Sequence, residues 1–331
     1  MRQRVIRHII LALLTVICLG AEAQRSVMPA SLKTGDTIAV ISPSSVPDTA
    51  TIAKGCATLR SWGYIPVVGA HAMSNYHGFA GMADERAADM LWALRDPSVK
   101  AIICSRGGDG AVQVLQRIPL QEFRNHPKWV MGFSDVTALH SAEVSAGVMS
   151  IHSSMCDGIA MRGERDSVNM ILRRLLQGVL PTYQAPAHPL NQPGEATGLL
   201  VGGNFSVFCG LAGSQYDFLN RVDEGLILFI EDTDESMSKV DRMLHQLEIR
   251  GILSKLNGII VGHFSKYKAP ESGFADMYEM LHEYLQHYNI PICYDFPVGH
   301  HSGWNYPMVE GCRVNLKVGQ DGTLIQFVHP E

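Results

Sequence analysis

The chain is 331 residues long, 46% hydrophobic and 18% charged, with a formal net charge of −5. That length allows about two domains with large apolar cores, and the composition excludes a disordered or low-complexity protein. The acidic balance and the lack of any sizeable Lys/Arg cluster argue against nucleic acid as a partner, because phosphate neutralisation needs a basic patch.

Residues 1–23 have the order of a secretory signal peptide. Arg2, Arg4 and Arg7 precede the apolar run Ile9–Leu19, and Ala21-Glu22-Ala23 is a small-residue cleavage site. The competing reading is an N-terminal membrane anchor, for which the run is short. Cleavage leaves 24 Lys and Arg against 31 Asp and Glu, a net charge of −7. The expectation is an exported, periplasmic protein. Six cysteines follow the leader: Cys56, Cys104, Cys156, Cys209, Cys293 and Cys312. None forms C-x-x-C or another metal spacing. They read as buried small hydrophobes, although an exported protein with an even count can carry disulfides, which the sequence does not pair.

The next stretch alternates strands and helices. Thr37–Ser42 is a β-branched apolar run, Thr49–Trp62 has helical spacing, and Ile65–Val68 is a short strand. Ala83–Leu94 reads as an amphipathic helix stopped by Asp96-Pro97, and Val99–Cys104 as a buried strand. After a glycine turn at Gly107–Gly110 come a helix at Ala111–Ile118, a strand at Lys128–Phe133 and a helix at Val136–Ala146. This order predicts a mainly parallel sheet with helices on both faces, and active residues at the carboxyl ends of its strands. Residues 28–178 are therefore read as an N-terminal α/β domain. Residues 179–196, rich in Pro and Gly and without periodicity, are read as a linker. Residues 197–331 are read as a C-terminal mixed α/β domain. It has strands at Thr197–Val201, Gly225–Glu231, Leu256–Phe264 and Pro291–Phe296, with a Gly-Gly-Asn turn after the first. Helices fall at Ser238–Arg250 and Phe274–Tyr288, and a terminal hairpin at Cys312–Val318 and Thr323–Val328.

Three polar groups follow apolar strands. Ser134 stands where the strand KWVMGF meets a helix, an arrangement similar to a nucleophile elbow, although Val136 departs from G-x-S-x-G. Taken alone, the motif reads first as a helix N-cap by Ser134 or Asp135. Glu231 ends the strand LILFI, with a helix-start acidic cluster as its plain alternative. His300 follows the strand ICYDF, and adjacent His301 points to the opposite face, which gives no metal spacing. Beside them, Arg106-Gly107-Gly108-Asp109-Gly110 is a turn whose amides suit an anion or an oxyanion. Nucleophile, base and orienting carboxylate are the parts of a serine hydrolase.

Six ordered segments carry a resemblance: GMADERAADMLWALRD from Gly81, AIICSRGGDGA from Ala101, GFSDVTALH from Gly132, GGNFSVF from Gly202, LFIEDTDESMSKVDRMLHQLEIRG from Leu228 and FPVGH from Phe296. Together they resemble the LD-carboxypeptidases, the murein tetrapeptide carboxypeptidases of peptidase family S66, over roughly Leu32 to Gly311. The resemblance implies Ser134 as nucleophile, His300 as general base and acid, and Glu231 as its orienting partner. It implies an oxyanion hole from the amides of Asp135 and Gly108. Arg106, Asn204 and Trp304 are in addition read as candidate substrate contacts. It further implies an active site in the cleft between two domains, a homodimer, no metal and no organic cofactor. The reaction implied is release of the terminal D-Ala from a murein tetrapeptide. Asp109 and the segment with Trp304 and Tyr306 depart from the family pattern. Two alternatives stay open: a microcin-immunity-like peptidase acting on a peptidyl-nucleotide or related amide, and a non-catalytic periplasmic binding protein.

Overall fold

The structure is a computed structural model, and it describes residues 26–268, 273–301 and 303–330. The leader at 1–23 lies outside the described residues. In chain order the first elements are β1 (Thr37–Ile41), α1 (Thr49–Ser61), β2 (Ile65–Val68), α2 (Ala83–Arg95), β3 (Val99–Cys104), α3 (Ala111–Leu115), α4 (Leu120–Asn125) and β4 (Trp129–Gly132). A short 3₁₀ turn at Ser134–Val136 leads into α5 (Thr137–Ser145), followed by β5 (Ser150–His152), α6 (Cys156–Arg162) and α7 (Ser167–Leu176). The second half has β6 (Thr182–Ala185), β7 (Gly194–Asn204), α8 (Phe205–Cys209), β8 (Leu226–Thr233), α9 (Met237–Ile249), β9 (Gly258–Ser265), α10 (Met277–Leu285), β10 (Ile292–Cys293), β11 (Met308–Glu310), β12 (Arg313–Gly319) and β13 (Gly322–Phe327).

These elements form two sheets, a mixed α/β architecture in two parts. The first sheet has the order β11-β5-β4-β3-β1-β2, parallel from β5 to β2. The second has the order β10-β9-β8-β7-β12-β13-β6, parallel from β10 to β7 and antiparallel beyond. The central parallel strands are buried on both faces, which is why they read as continuous apolar runs, whereas the edge strand β2 is largely exposed. Local signals set the helix ends. The Asp48 carboxylate accepts from the Thr51 amide at 2.8 Å to start α1, and the Glu85 carboxylate accepts from the Met82 amide at 2.8 Å to start α2. One apolar cluster runs from Ile38, Ile103 and Met131 of the first sheet to Phe229, Val314 and Leu316 of the second.

The structure differs from the sequence reading in four places. The stretch read as a linker contains β6 and the start of β7; Thr182–Ala185 alternates exposed and buried residues, and Tyr183 buries its ring against Phe327 and Tyr306. Gly202-Gly203-Asn204 is no turn but the end of β7, paired with Phe229, Ile230 and Glu231 of β8. Gly203 has φ +112, and a β-carbon there would lie 2.7 Å from Thr137 Oγ1, so glycine lets the end of β7 close on the start of α5. The strand expected at 291–296 is only Ile292–Cys293; beyond it the chain leaves ladder geometry and follows β9 by separate bonds, Phe296 N to Val261 O at 3.1 Å and His263 N to Val298 O at 2.9 Å. Finally, β11 leaves the C-terminal half and adds antiparallel to β5 of the first sheet.

Candidate active site

Ser134 sits immediately beyond β4 with φ +63, a left-handed conformation unusual for a side chain other than glycine. Neither cap reading survives. The 3₁₀ turn and α5 begin at Phe133 and Val136 with no side-chain cap bond, and the Asp135 carboxylate reaches elsewhere. It accepts from Ser44 Oγ at 2.6 Å and from the Ala111 amide at 2.8 Å. Asp135 therefore ties the elbow to the amino end of α3 and, through it, to the glycine turn. Burial pushes this carboxyl above its ordinary range, against the Ser44 and Ala111 hydrogen bonds that lower it.

The glycine turn lies against the elbow. A β-carbon on Gly107 would be 3.2 Å from Ser134 Oγ and 3.7 Å from the Asp135 amide nitrogen, and Gly108 has φ +114. Among the described residues, neither the Gly108 nor the Asp135 amide donates to another protein group. Buried Arg86 holds the turn from behind, donating Nη1 to Gly110 O at 2.9 Å and to Pro43 O at 2.5 Å.

Glu231 is fully buried in β8, where the β8–β9 register shifts between Ile230 and Asp232. Such an irregularity re-aims a side chain relative to a regular strand. Its Oε2 accepts from His300 Nδ1 at 2.6 Å and from the His300 amide at 3.2 Å. The preceding Gly299 has φ +107, and a β-carbon there would lie 2.6 Å from Glu231 Cβ and Oε2. Only glycine allows the histidine loop this close. Burial alone lowers the His300 pKa, but the charge and hydrogen bond of Glu231 outweigh it, and the imidazole titrates above its ordinary value. With Nδ1 held by the carboxylate, Nε2 is the nitrogen left to accept a proton.

The elbow and the Glu–His pair meet. Phe133, next to Ser134, packs its ring on the His300 imidazole, with centroids 4.8 Å apart. Asn305 Oδ1 accepts from the Gly299 amide at 2.9 Å, and His152 packs edge-on against Phe133 and Phe229. Asn305, His152, Ser44 and Arg86 were not singled out from the sequence.

The three expected substrate contacts fall differently. Arg106 is exposed on the turn, where its charge opposes the burial that raises Asp157. Trp304 is 45% exposed, edge-on to Tyr306 at 5.7 Å. Asn204, expected to meet substrate, is buried and caps α8. Its Oδ1 accepts from the Val207 amide at 3.2 Å, and its Nδ2 donates to Asp232 Oδ1 at 3.2 Å. Among the described residues, no group of three or more His, Cys, Asp or Glu is arranged to hold a metal ion.

Family models describing the N-terminal and C-terminal domains of LD-carboxypeptidase match residues 38–153 and 197–316. The chain belongs to the LD-carboxypeptidase family, peptidase family S66. It is a serine-type carboxypeptidase, a hydrolase. Over 278 residues it is 34% identical to a Bacillus subtilis protein named "Probable murein peptide carboxypeptidase", covering 82% of this chain and 86% of that one. The muramoyltetrapeptide carboxypeptidase of Oxalobacter formigenes superposes with a TM-score of 0.79 at 25% identity, over 89% of this chain and all of that one. The microcin C7 self-immunity protein MccF of Escherichia coli is 26% identical over 310 residues, covering 82% of this chain and 88% of that one.

Proposed function

We propose that the protein is an exported L,D-carboxypeptidase that releases the terminal D-Ala from murein tetrapeptides, with Ser134, His300 and Glu231 as its catalytic triad. The observation that carries this is the buried Glu231–His300 pair at 2.6 Å, packed against the strained elbow of Ser134. In this reading Ser134 Oγ attacks the carbonyl carbon of the third residue while His300 Nε2 takes its proton. The Asp135 and Gly108 amides stabilise the oxyanion of the tetrahedral intermediate. Collapse breaks the C–N bond, and His300 returns the proton to the departing D-Ala amine. Water, activated by the same histidine, then hydrolyses the acyl-serine. Glu231 holds the imidazole in the working tautomer and stabilises its charged form.

The site lies in the cleft between the two sheets, and the working form is a homodimer outside the cytoplasm. The murein-peptide names among its relatives support this substrate. The likeness to MccF favours a second reading, hydrolysis of a peptidyl-nucleotide amide by the same triad.

Mass spectrometry of defined murein tetrapeptides incubated with the purified enzyme tests the proposal. Loss of one Ala from the tetrapeptide is expected, with a drop of about 10⁵-fold or more in kcat for Ser134→Ala at unchanged thermal stability. Undiminished D-Ala release by Ser134→Ala overturns the triad. Turnover of a peptidyl-nucleotide with no turnover of tetrapeptide establishes the second reading.

A further inference from the structure

The active site uses none of the cysteines, yet two of them meet. Cys56 lies in α1 and Cys156 opens α6, both buried, where these helices cross at Gly55. A β-carbon on Gly55 would overlap Cys156 Sγ and lie 2.5 Å from the Cys156 carbonyl oxygen, so the two backbones are nearly in contact. The Cys156 thiol rests 3.9 Å from the Ile52 carbonyl oxygen, one helical turn before Cys56. The two thiols act on each other: Cys156 holds the Cys56 thiol below the ordinary thiol range, and Cys56 with burial pushes the Cys156 thiol above it. Cys104, Cys209, Cys293 and Cys312 have no such thiol neighbour among the described residues.

We infer that Cys56 and Cys156 are the site of an intrachain disulfide that staples α1 to α6. The close helix approach meets the short separation a disulfide needs. The neighbouring Cys156 side chain also holds the Cys56 thiol below the ordinary thiol range, which makes Cys56 the attacking partner. The oxidant is a disulfide. The Cys56 thiolate attacks one of its sulfurs and expels a thiolate, forming a mixed disulfide. The Cys156 thiolate then attacks Cys56 Sγ and expels the second thiolate. The two protein thiols lose two electrons and two protons, and the oxidant leaves as two thiols.

The staple bears on the site. In α6, the Asp157 amide donates to Ser105 O at 3.0 Å, directly before the glycine turn. At its other end, Arg162 Nη1 donates to Gly303 O at 2.9 Å, in the loop that follows His300. Fixing α6 to α1 therefore fixes the helix on which both loops lean.

The test is oxidative refolding of the reduced, denatured chain in a buffer of reduced and oxidised glutathione, followed by an acid quench, alkylation in denaturant and tryptic mapping. The expected product joins the peptides Gly55–Arg60 and Trp129–Arg162, each of which carries one cysteine. The oxidised chain is expected to melt roughly 10 °C above the reduced chain, because the closed loop spans about 100 residues. The double variant Cys56→Ala, Cys156→Ala is expected to melt at the same temperature in both buffers. Recovery of both peptides fully alkylated, or joined only to other cysteines, overturns the inference. So does a melting difference that persists in the double variant.

Discussion

Substituting Glu231 by Gln separates the charge of this residue from its shape. Oε2 accepts two hydrogen bonds from His300, at 2.6 and 3.2 Å, while Oε1 is buried with no hydrogen-bond partner among the described residues. The amide can place its oxygen in the position of Oε2 and keep both bonds, so the imidazole stays oriented. What is lost is a negative charge about 4 Å from the ring centre. At an effective dielectric constant of about 20, that attraction amounts to about 4 kcal/mol toward the imidazolium formed during the reaction, or a fall of roughly 10³-fold in kcat. The substitution also moves the pH profile. In the native enzyme His300 titrates above its ordinary value because Glu231 outweighs burial. The working base is the neutral ring, so kcat/KM rises with pH through that elevated pKa. Without the charge, the burial that lowers the His300 pKa is opposed less, and the acid limb is expected to move to lower pH. Initial rates of D-Ala release between pH 4.5 and 9 measure both effects. An unchanged rate, or an acid limb that stays put or moves upward, refutes the assignment of Glu231 as the partner that raises His300.

Gly299→Ala places a methyl group 2.6 Å from Glu231 at φ +107. A stability loss of about 2 kcal/mol or more is expected in denaturant titration, together with a lower kcat as the histidine loop retreats from the carboxylate. Glu310 and Glu143 are fully buried, their four carboxylate oxygens have no hydrogen-bond partner among the described residues, and burial holds both well above the ordinary carboxyl range. The native state thus prefers their protonated forms. Their contribution to stability is fully present below the unfolded pKa of about 4.3 and is lost as pH rises toward the folded values. Glu310→Gln removes the Glu310 share of this dependence, so the variant is expected to gain melting temperature relative to the native chain at pH 7–9 and little at pH 4; a variant that is less stable at pH 8 would count against the protonated form.

The parallel strands were legible because each is an apolar run with a definite stop. Ile65–Val68 and Val99–Cys104 have the same bounds in sequence and structure. The short strands were not. β5 and β11 are three residues each, and β11 exists only because it meets β5 across more than 150 residues of chain. Gly202-Gly203 looks like a turn, but close approach to Phe229 and Thr137 is what requires glycine there. At the site, the strand-end positions of Ser134, Glu231 and His300 and the family resemblance were readable. The supports were hidden, because Ser44 and Asp135 are 91 residues apart and Asn305 acts through a backbone amide. The capping role of Asn204 was hidden for a related reason. A polar residue after two glycines reads as a ligand-binding turn until its partner Asp232, 28 residues on, is brought alongside.

The return of β11 to the first sheet bears on how the chain tolerates being cut. His300 is anchored to the second sheet through the bridge between His263 and Gly299, and eight residues later Met308 is zipped to His152 in the first. A fragment ending near residue 190 would lack its own sixth strand and expose the backbone edge of β5. Its complement would carry that strand as an overhang. The first fragment would in turn carry β6, the edge strand that pairs with β13 of the second sheet, so two such pieces made separately should reassemble by exchanging β11 and β6.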